Sequence, residues 1–209
     1  MGVTASDSAR TEDMAAVAER FLSGVNVQIL PQHGPHQRLE AMEVHYTLAN
    51  DAELVPVLIV QLQHYLVRFG ICDAGGCVRV GIALEEAISN AIHHGNLELS
   101  SALREDGNDS FDLLAQVRRR EAPFMHRRVR IRARFSHDEA VYIIRDDGPG
   151  FDPQAIPDPT DPANLDQVSG RGLLLMRSFM DEVAYNAVGN ELTMVKRRQG
   201  RRSESLCAS

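Results

Sequence analysis

The sequence predicts an α+β domain, from one strongly amphipathic helix at 78–96, a pair of alternating strand patterns joined by a short turn at 128–145, and a second helix-then-hairpin pattern at 171–195. Plotted at about 100° per residue, Ala87, Ile88, Ala91 and Ile92 fall on one face of the first helix. Glu85, Glu86, Ser89, Asn90, His93 and His94 fall on the other.

The chain has 209 residues, 44% of them hydrophobic, which suits one domain of moderate size with extensions. A formal charge of -7 argues against nucleic acid as the main partner, since phosphate neutralisation favours a basic domain. Cys72, Cys77 and Cys207 are odd in number and lack CxxC spacing, as expected of free thiols in a reducing cytoplasm. The N-terminus has no signal-peptide core, and the most apolar run, Leu54 to Val60, is too short to span a bilayer, so no membrane association is expected.

In chain order, residues 1–40 read as a flexible extension. Met14, Val17, Phe21 and Val25 share a helical stripe, and Gln28 to Arg38 is a linker with two prolines and a glycine. Val44, Tyr46 and Leu48 alternate with Glu43, His45 and Thr47 as a short strand. Asn50 or Asp51 can cap the next helix, which runs to Phe69 and closes at Gly70, with Pro56 tolerable only in its first turn. Cys72 to Gly76 is the turn into the central helix, and Gly95 marks that helix's end.

Residues 97–126 are a long connection with a polar start and a helix from Phe111 to Arg120. Arg128 to Phe135 alternates arginine with Val129, Ile131, Ala133 and Phe135, and the turn Ser136 to Glu139 brings back Ala140 to Arg145 as an antiparallel partner. The arginine face suits either an acidic or phosphorylated partner or plain solvent. A Pro/Asp-rich loop, a helix at Arg171 to Val183, a hairpin of Val183 to Ala187 and Glu191 to Val195, and a disordered tail at 198–209 complete the chain.

Three stretches carry chemistry. Glu86 and Asn90 are four apart on one helix face; a carboxamide oxygen can ligate Mg²⁺ and a carboxylate can take a proton, although the same pair would also suit a solvated face. Asp146-Asp147-Gly148-Pro149-Gly150-Phe151 follows a strand end, where a carboxylate can accept from an adenine amino group, or where an ordinary turn can form. Ser169-Gly170-Arg171-Gly172 opens a helix, where free amides suit phosphate and Ser169 suits a plain N-cap. No GxxxxGK[ST] loop is present.

In this order, ExxxNAxxHG, DxGxGF and SGxGL resemble the N, G1 and G2 boxes of the GHKL ATPase superfamily over about Glu43 to Lys196. Within it, the run Gly170 to Val183 is most similar to bacterial anti-sigma-factor serine/threonine kinases. The resemblance implies a two-layer α/β sandwich, the Bergerat fold, with a mixed, mostly antiparallel sheet covered on one face by helices. The ATP-binding domain would be 41–197, with 97–126 an insertion and 157–169 the ATP lid.

It also implies ATP and Mg²⁺ as ligands. Glu86 would be the general base, Asn90 the Mg²⁺ ligand and Asp146 the reader of adenine, with His94, Gly148, Gly150, Gly170, Arg171, Gly172 and Thr193 completing the nucleotide site. Val168 stands where kinases of the sporulation and stress-response type often carry arginine. The implied activity is transfer of the γ-phosphate to a serine or threonine of a STAS-like antagonist in the cytoplasm, with a sigma factor as a second partner and a homodimer as the assembly. A non-catalytic ATP-dependent switch and histidine phosphorylation in trans are the alternatives.

Overall fold

The computed structural model describes residues 25–28, 41–101, 103, 110–155 and 171–198. The expected leading helix before Val25, most of the linker, the lid, Ser169, Gly170 and the tail after Arg198 lie outside them.

Six strands, β1 (Val25–Gln28), β2 (Ala41–Leu48), β3 (Val129–Ser136), β4 (Glu139–Arg145), β5 (Glu182–Tyr185) and β6 (Glu191–Arg197), form one sheet in the order β1-β2-β3-β4-β6-β5. Among the described residues every pairing is antiparallel, where a mixed sheet was expected. β1 corrects the sequence reading. The sequence pattern places Val25 on a helical stripe and Gln28 in a linker, yet Val25–Gln28 is a strand with Gln28 opposite Glu43. Four residues are too few to show a period, and only the neighbouring edge of β2 makes them a strand.

Helices α1 (Val55–Phe69), α2 (Ala74–Asn90) and α4 (Arg171–Phe179) belong to the layer over one face, and α3 (Ser110–Arg118) follows α2 in the chain. Asp51, rather than Asn50, supplies the first cap: its carboxylate accepts from the Glu53 amide at 3.1 Å at the head of a short 3₁₀ turn, Ala52–Leu54. Pro56 falls in the first turn of α1, where its missing N–H is harmless, and Gly70 closes the helix at φ 64°. The central helix α2 starts earlier than its periodicity suggested. Asp73 accepts from the Gly76 amide at 2.6 Å, which recruits Ala74 to Gly76 from the expected turn into the helix. Its regular part ends at Asn90, and Ala91–Asn96 continues as a π-helical turn. Likewise α4 stops at Phe179, so Val183 belongs to β5.

The core lies between the layers. Val44, Tyr46, Ile131, Phe135, Tyr142 and Met194 rise from the sheet to meet Leu58, Leu62 and Leu66 of α1 and Val80, Leu84 and Ile88 of α2, all nearly or fully buried. Each buried aliphatic side chain contributes roughly 1.5–3 kcal/mol. Phe135 anchors the aromatic part, with Tyr65, Phe69 and Tyr142 ring centres at 5.3, 6.0 and 5.8 Å. Cys72 and Cys77 are free thiols beside this core, and burial pushes Cys72 up to about 11. Burial on β3 alternates strictly, so Arg130, Arg132 and Arg134 project from the face away from the helices.

Candidate functional site

The π-helical turn at the end of α2 meets the end of β4, and the turn between β5 and β6 holds that strand end through the Asp146 and Phe151 amides. A cavity opens there, lined by Ala87, Asn90, Ala91, His94 and Gly95 from the helix, Ile144 and Asp146 from β4 and its end, Gly150 and Phe151, and Tyr185 with Gly189 to Leu192 from the last hairpin. The helix motif and the motif after β4 meet the last hairpin here because the sheet order places β6 beside β4.

Asp146 is the buried polar group of this cavity. One of its oxygens accepts from the Gly148 amide at 2.8 Å, and its own amide donates to the Asn190 carbonyl at 3.1 Å. Burial pushes its carboxyl up to about 6, against the opposing pull of the Gly148 amide. Next to it, Asp147 faces outward. Burial raises that carboxyl, but hydrogen bonds from Arg130 and from the Arg128 amide outweigh it and hold it below the usual range. Two adjacent aspartates are thus separated into one buried acceptor facing the cavity and one structural ion-pair partner.

The glycines are required by close approach. A Cβ on Gly148 would lie 2.2 Å from the Gly95 carbonyl oxygen, and one on Gly95 would lie 2.4 Å from the Asp146 carboxyl carbon. Gly150 has φ 77°, and a Cβ there would lie 2.1 Å from the Val188 carbonyl oxygen. Gly148→Ala is accordingly expected to lower stability by roughly 1–3 kcal/mol and to weaken nucleotide binding, because backbone on both sides must move. Gly75→Ala, whose new methyl would come no nearer than 3.4 Å to the Arg79 side chain, is expected to leave the melting temperature unchanged or slightly raised. A thermal melt of the two variants beside wild type checks both.

Asn90 and His94 sit one turn apart on the cavity wall. His94 Nδ1 donates to the Leu99 carbonyl at 2.6 Å, which fixes where its proton resides. Glu86 does not line the cavity. It lies a turn before Asn90 and against the first turn of α4, where a Cβ on Gly172 would stand 2.6 Å from Glu86 Oε2 and 3.5 Å from Asn90 Nδ2. Arg171 is exposed at the start of α4. Gly170 lies outside the described residues.

Thr193 is placed elsewhere. It pairs with Ile143 and Ala184, and all three point to the face away from the helices, whereas Leu192, opposite Ile144 and Tyr185, faces the cavity. The reading of Thr193 as a base contact is corrected by a single residue, because the side chains of a strand alternate between faces.

Sequence reasoning missed Tyr185, Asn190 and Leu192, and it gave Phe151 no role. Phe151 and Tyr185 meet edge to face at 5.0 Å across the cavity mouth. It also missed Asn96, which is fully buried. Asn96 accepts from the Asp147 amide at 2.8 Å and donates to Asn50 at 2.7 Å, so it ties the end of the helix to the end of β4. The sequence signal was present in the HGN run after the helix, where a polar residue follows the helix-ending glycine.

The connection 97–126 acts on the same turn. Arg118 donates to the carbonyls of Leu97 and Glu98 at 2.5 and 2.8 Å, and Arg127 to the carbonyl of Asn96 at 2.8 Å. Both guanidiniums lie 5.0 Å from the Phe124 ring centre, and Asn50 donates to the Phe124 carbonyl at 2.9 Å. These contacts satisfy carbonyls at and just past the C-terminal end of the helix.

The donor set fits an adenine nucleotide with Mg²⁺. A buried carboxylate among Ala87, Ala91, Ile144 and Leu192 suits a flat base with an exocyclic amino donor. Among the described residues no group of three or more His, Cys, Asp or Glu could hold a metal. One carboxamide beside one carboxylate instead suits Mg²⁺ that arrives on phosphates and keeps several waters.

A family profile for the histidine kinase-like ATPase domain matches residues 48–196, and the chain belongs to that family. It is an ATP-binding domain of the GHKL type, consistent in general with ATP-dependent phosphotransfer. No individual curated protein matches the chain. Among the described residues no helix is long and apolar enough to cross a membrane.

Proposed function

We propose that the chain is an ATP-dependent serine/threonine protein kinase of the anti-sigma-factor type, acting in the cytoplasm on a STAS-like antagonist and also binding a sigma factor, as a homodimer. The observation that carries this reading is the position of Glu86: one turn from Asn90 and in contact with the first turn of α4, it puts a carboxylate where phosphates at that helix's N-terminus would end.

Asp146 accepts from the adenine amino group, and Phe151 and Tyr185 cover the cavity mouth. Asn90 offers its side-chain oxygen to Mg²⁺, which when bound neutralises charge on the polyphosphate. The free amides of α4 around Gly172 face the phosphates, and Arg171 beside them supplies a cation. Glu86 accepts the proton of the substrate hydroxyl as that oxygen bonds to the γ-phosphorus; the bond from the β–γ bridging oxygen breaks and ADP leaves.

The test is transfer of label from [γ-³²P]ATP to a purified STAS-domain protein encoded in the same genome. Acid-stable phosphoserine or phosphothreonine is expected. Acid-labile label would assign histidine phosphorylation instead, and ATP-dependent complex formation without label would make the domain a switch.

A further inference from the structure

The helices that cover the sheet carry apolar side chains on the side turned away from the core. Val60 and Val67 of α1 are 66% and 63% exposed, and Val78 and Ile82 of α2 are 57% and 37% exposed. These are four of the nine large apolar side chains exposed among the described residues, a cluster rather than a scatter. Val60 and Val67 are two helical turns apart and Val78 and Ile82 one turn, so each pair forms a stripe on its helix. The stripes lie side by side because the helices close together at Gly81, where a Cβ would stand 2.3 Å from Gln63 Nε2 and 3.2 Å from Ile59 Cγ2. Gln63 turns its amide into that seam and donates to the Cys77 carbonyl at 3.1 Å. With Ile59 against Gly81 and Gln63 against Cys77, the helices run antiparallel. Val60 is then about level with Ile82, and Val67 and Val78 lie beyond them toward the Gly70 end.

Charge is ordered along the same face. Glu53 and Glu85 stand toward one end, Arg68 and Arg79 toward the other. All four are exposed, and none has an ion pair among the described residues. Asp73, at the cationic end, is engaged as the cap of α2 by the Gly76 amide. On α2 the arginine precedes the glutamate, the reverse of what the helix dipole favours, so that dipole does not account for the order. The order has a centre. Arg79 and Glu85 lie three residues before and after Ile82, and Glu53 and Arg68 lie seven before and eight after Val60.

We infer that the outer face of α1 and α2 is the surface on which a second copy of this chain docks, antiparallel, about a two-fold axis crossing both helices at Val60 and Ile82. That operation sets Arg68 against Glu53 of the second copy and Arg79 against its Glu85, and the reverse, with the apolar stripes stacked between them. Parallel docking would set arginines against arginines. The inference rests on the homodimer reading above and gives it a surface. Asn90 lies eight residues past Ile82, about 12 Å along α2, so the two nucleotide sites fall at opposite ends of the pair.

The face is about 22 Å long, at the small end for a stable interface, so a dissociation constant in the micromolar range is expected. The test is sedimentation velocity of the full chain from about 1 to about 200 μM, where wild type is expected to pass from monomer to dimer. Val60→Glu brings two carboxylates together at the axis and is expected to weaken association at least about tenfold. Its melting temperature and ATP titration stay as in wild type, because the side chain is exposed in the single chain. Arg79→Glu and Glu85→Arg are each expected to weaken association about threefold or more, and the double variant to recover it. Weak association in the double variant as well would overturn the antiparallel arrangement. Wild type that stays monomeric throughout would overturn the inference together with the homodimer reading. A dimer of undiminished strength in Val60→Glu would leave the homodimer standing and overturn this surface. Monomeric wild type that floats with phosphatidylglycerol vesicles, and loses this with Val60→Glu, would overturn the inference by assigning the face to a membrane.

Discussion

Asp146→Asn is expected to weaken adenine-nucleotide binding strongly while making the nucleotide-free chain more stable near neutral pH. Burial holds the Asp146 carboxyl at about 6 in the folded chain, above the 3.8 of an ordinary aspartate. Below about pH 4 it is protonated in both states. Between there and pH 6 the folded chain holds a proton that the unfolded chain has released, so stability falls as pH rises through that window. Above pH 6 the full cost of a buried carboxylate is present, on the order of 2–3 kcal/mol. Asparagine keeps an oxygen for the Gly148 amide and carries no charge, so the cost disappears, and a melting temperature higher by several degrees is expected at pH 7.5. In place of an acceptor, however, it can present a donor to the adenine amino group, and affinity should drop by about thirtyfold or more. Denaturation across pH 4–8 and ATP calorimetry on both proteins check the two halves. A variant that is less stable than wild type at pH 7.5 but equal to it at pH 4 would contradict the assignment of a buried carboxylate.

Glu86→Gln is expected to separate binding from chemistry. Glu86 lies outside the cavity lining, so the glutamine variant should bind ATP with Mg²⁺ about as wild type does. Its amide cannot take a proton, so phosphotransfer should fall roughly 10²- to 10⁴-fold. Asn90→Ala is expected to do the reverse at the binding stage, losing the Mg²⁺-dependent part of ATP affinity because the carboxamide oxygen is gone. Calorimetry with and without Mg²⁺, paired with the label-transfer assay, reads both variants. Equal transfer rates in Glu86→Gln and wild type would remove Glu86 as the base.

The sequence by itself determined the central helix and its two faces, the hairpin of β3 and β4, and the order of the three motif stretches. Each of these is written in a local period or in a glycine spacing, and local patterns survive without knowledge of what packs where. Asp146, Asn90 and His94 could be chosen for the same reason, as polar residues at a strand end or on a polar helix face. The tertiary structure decided the rest. Thr193 fell on the wrong face because a one-residue step along a strand reverses every side chain, and only the register against Ile143 and Ala184 fixes which side is which. Val25–Gln28 became a strand only because β2 offers an edge. Asn96 carries no periodic signal, yet it is the buried amide that joins the helix end to the end of β4, through partners 46 and 51 residues away in the chain. Hydrogen-bond partners at such separations exist only once the chain has folded, and burial, which sets the charge on Asp146, likewise belongs to the packed molecule.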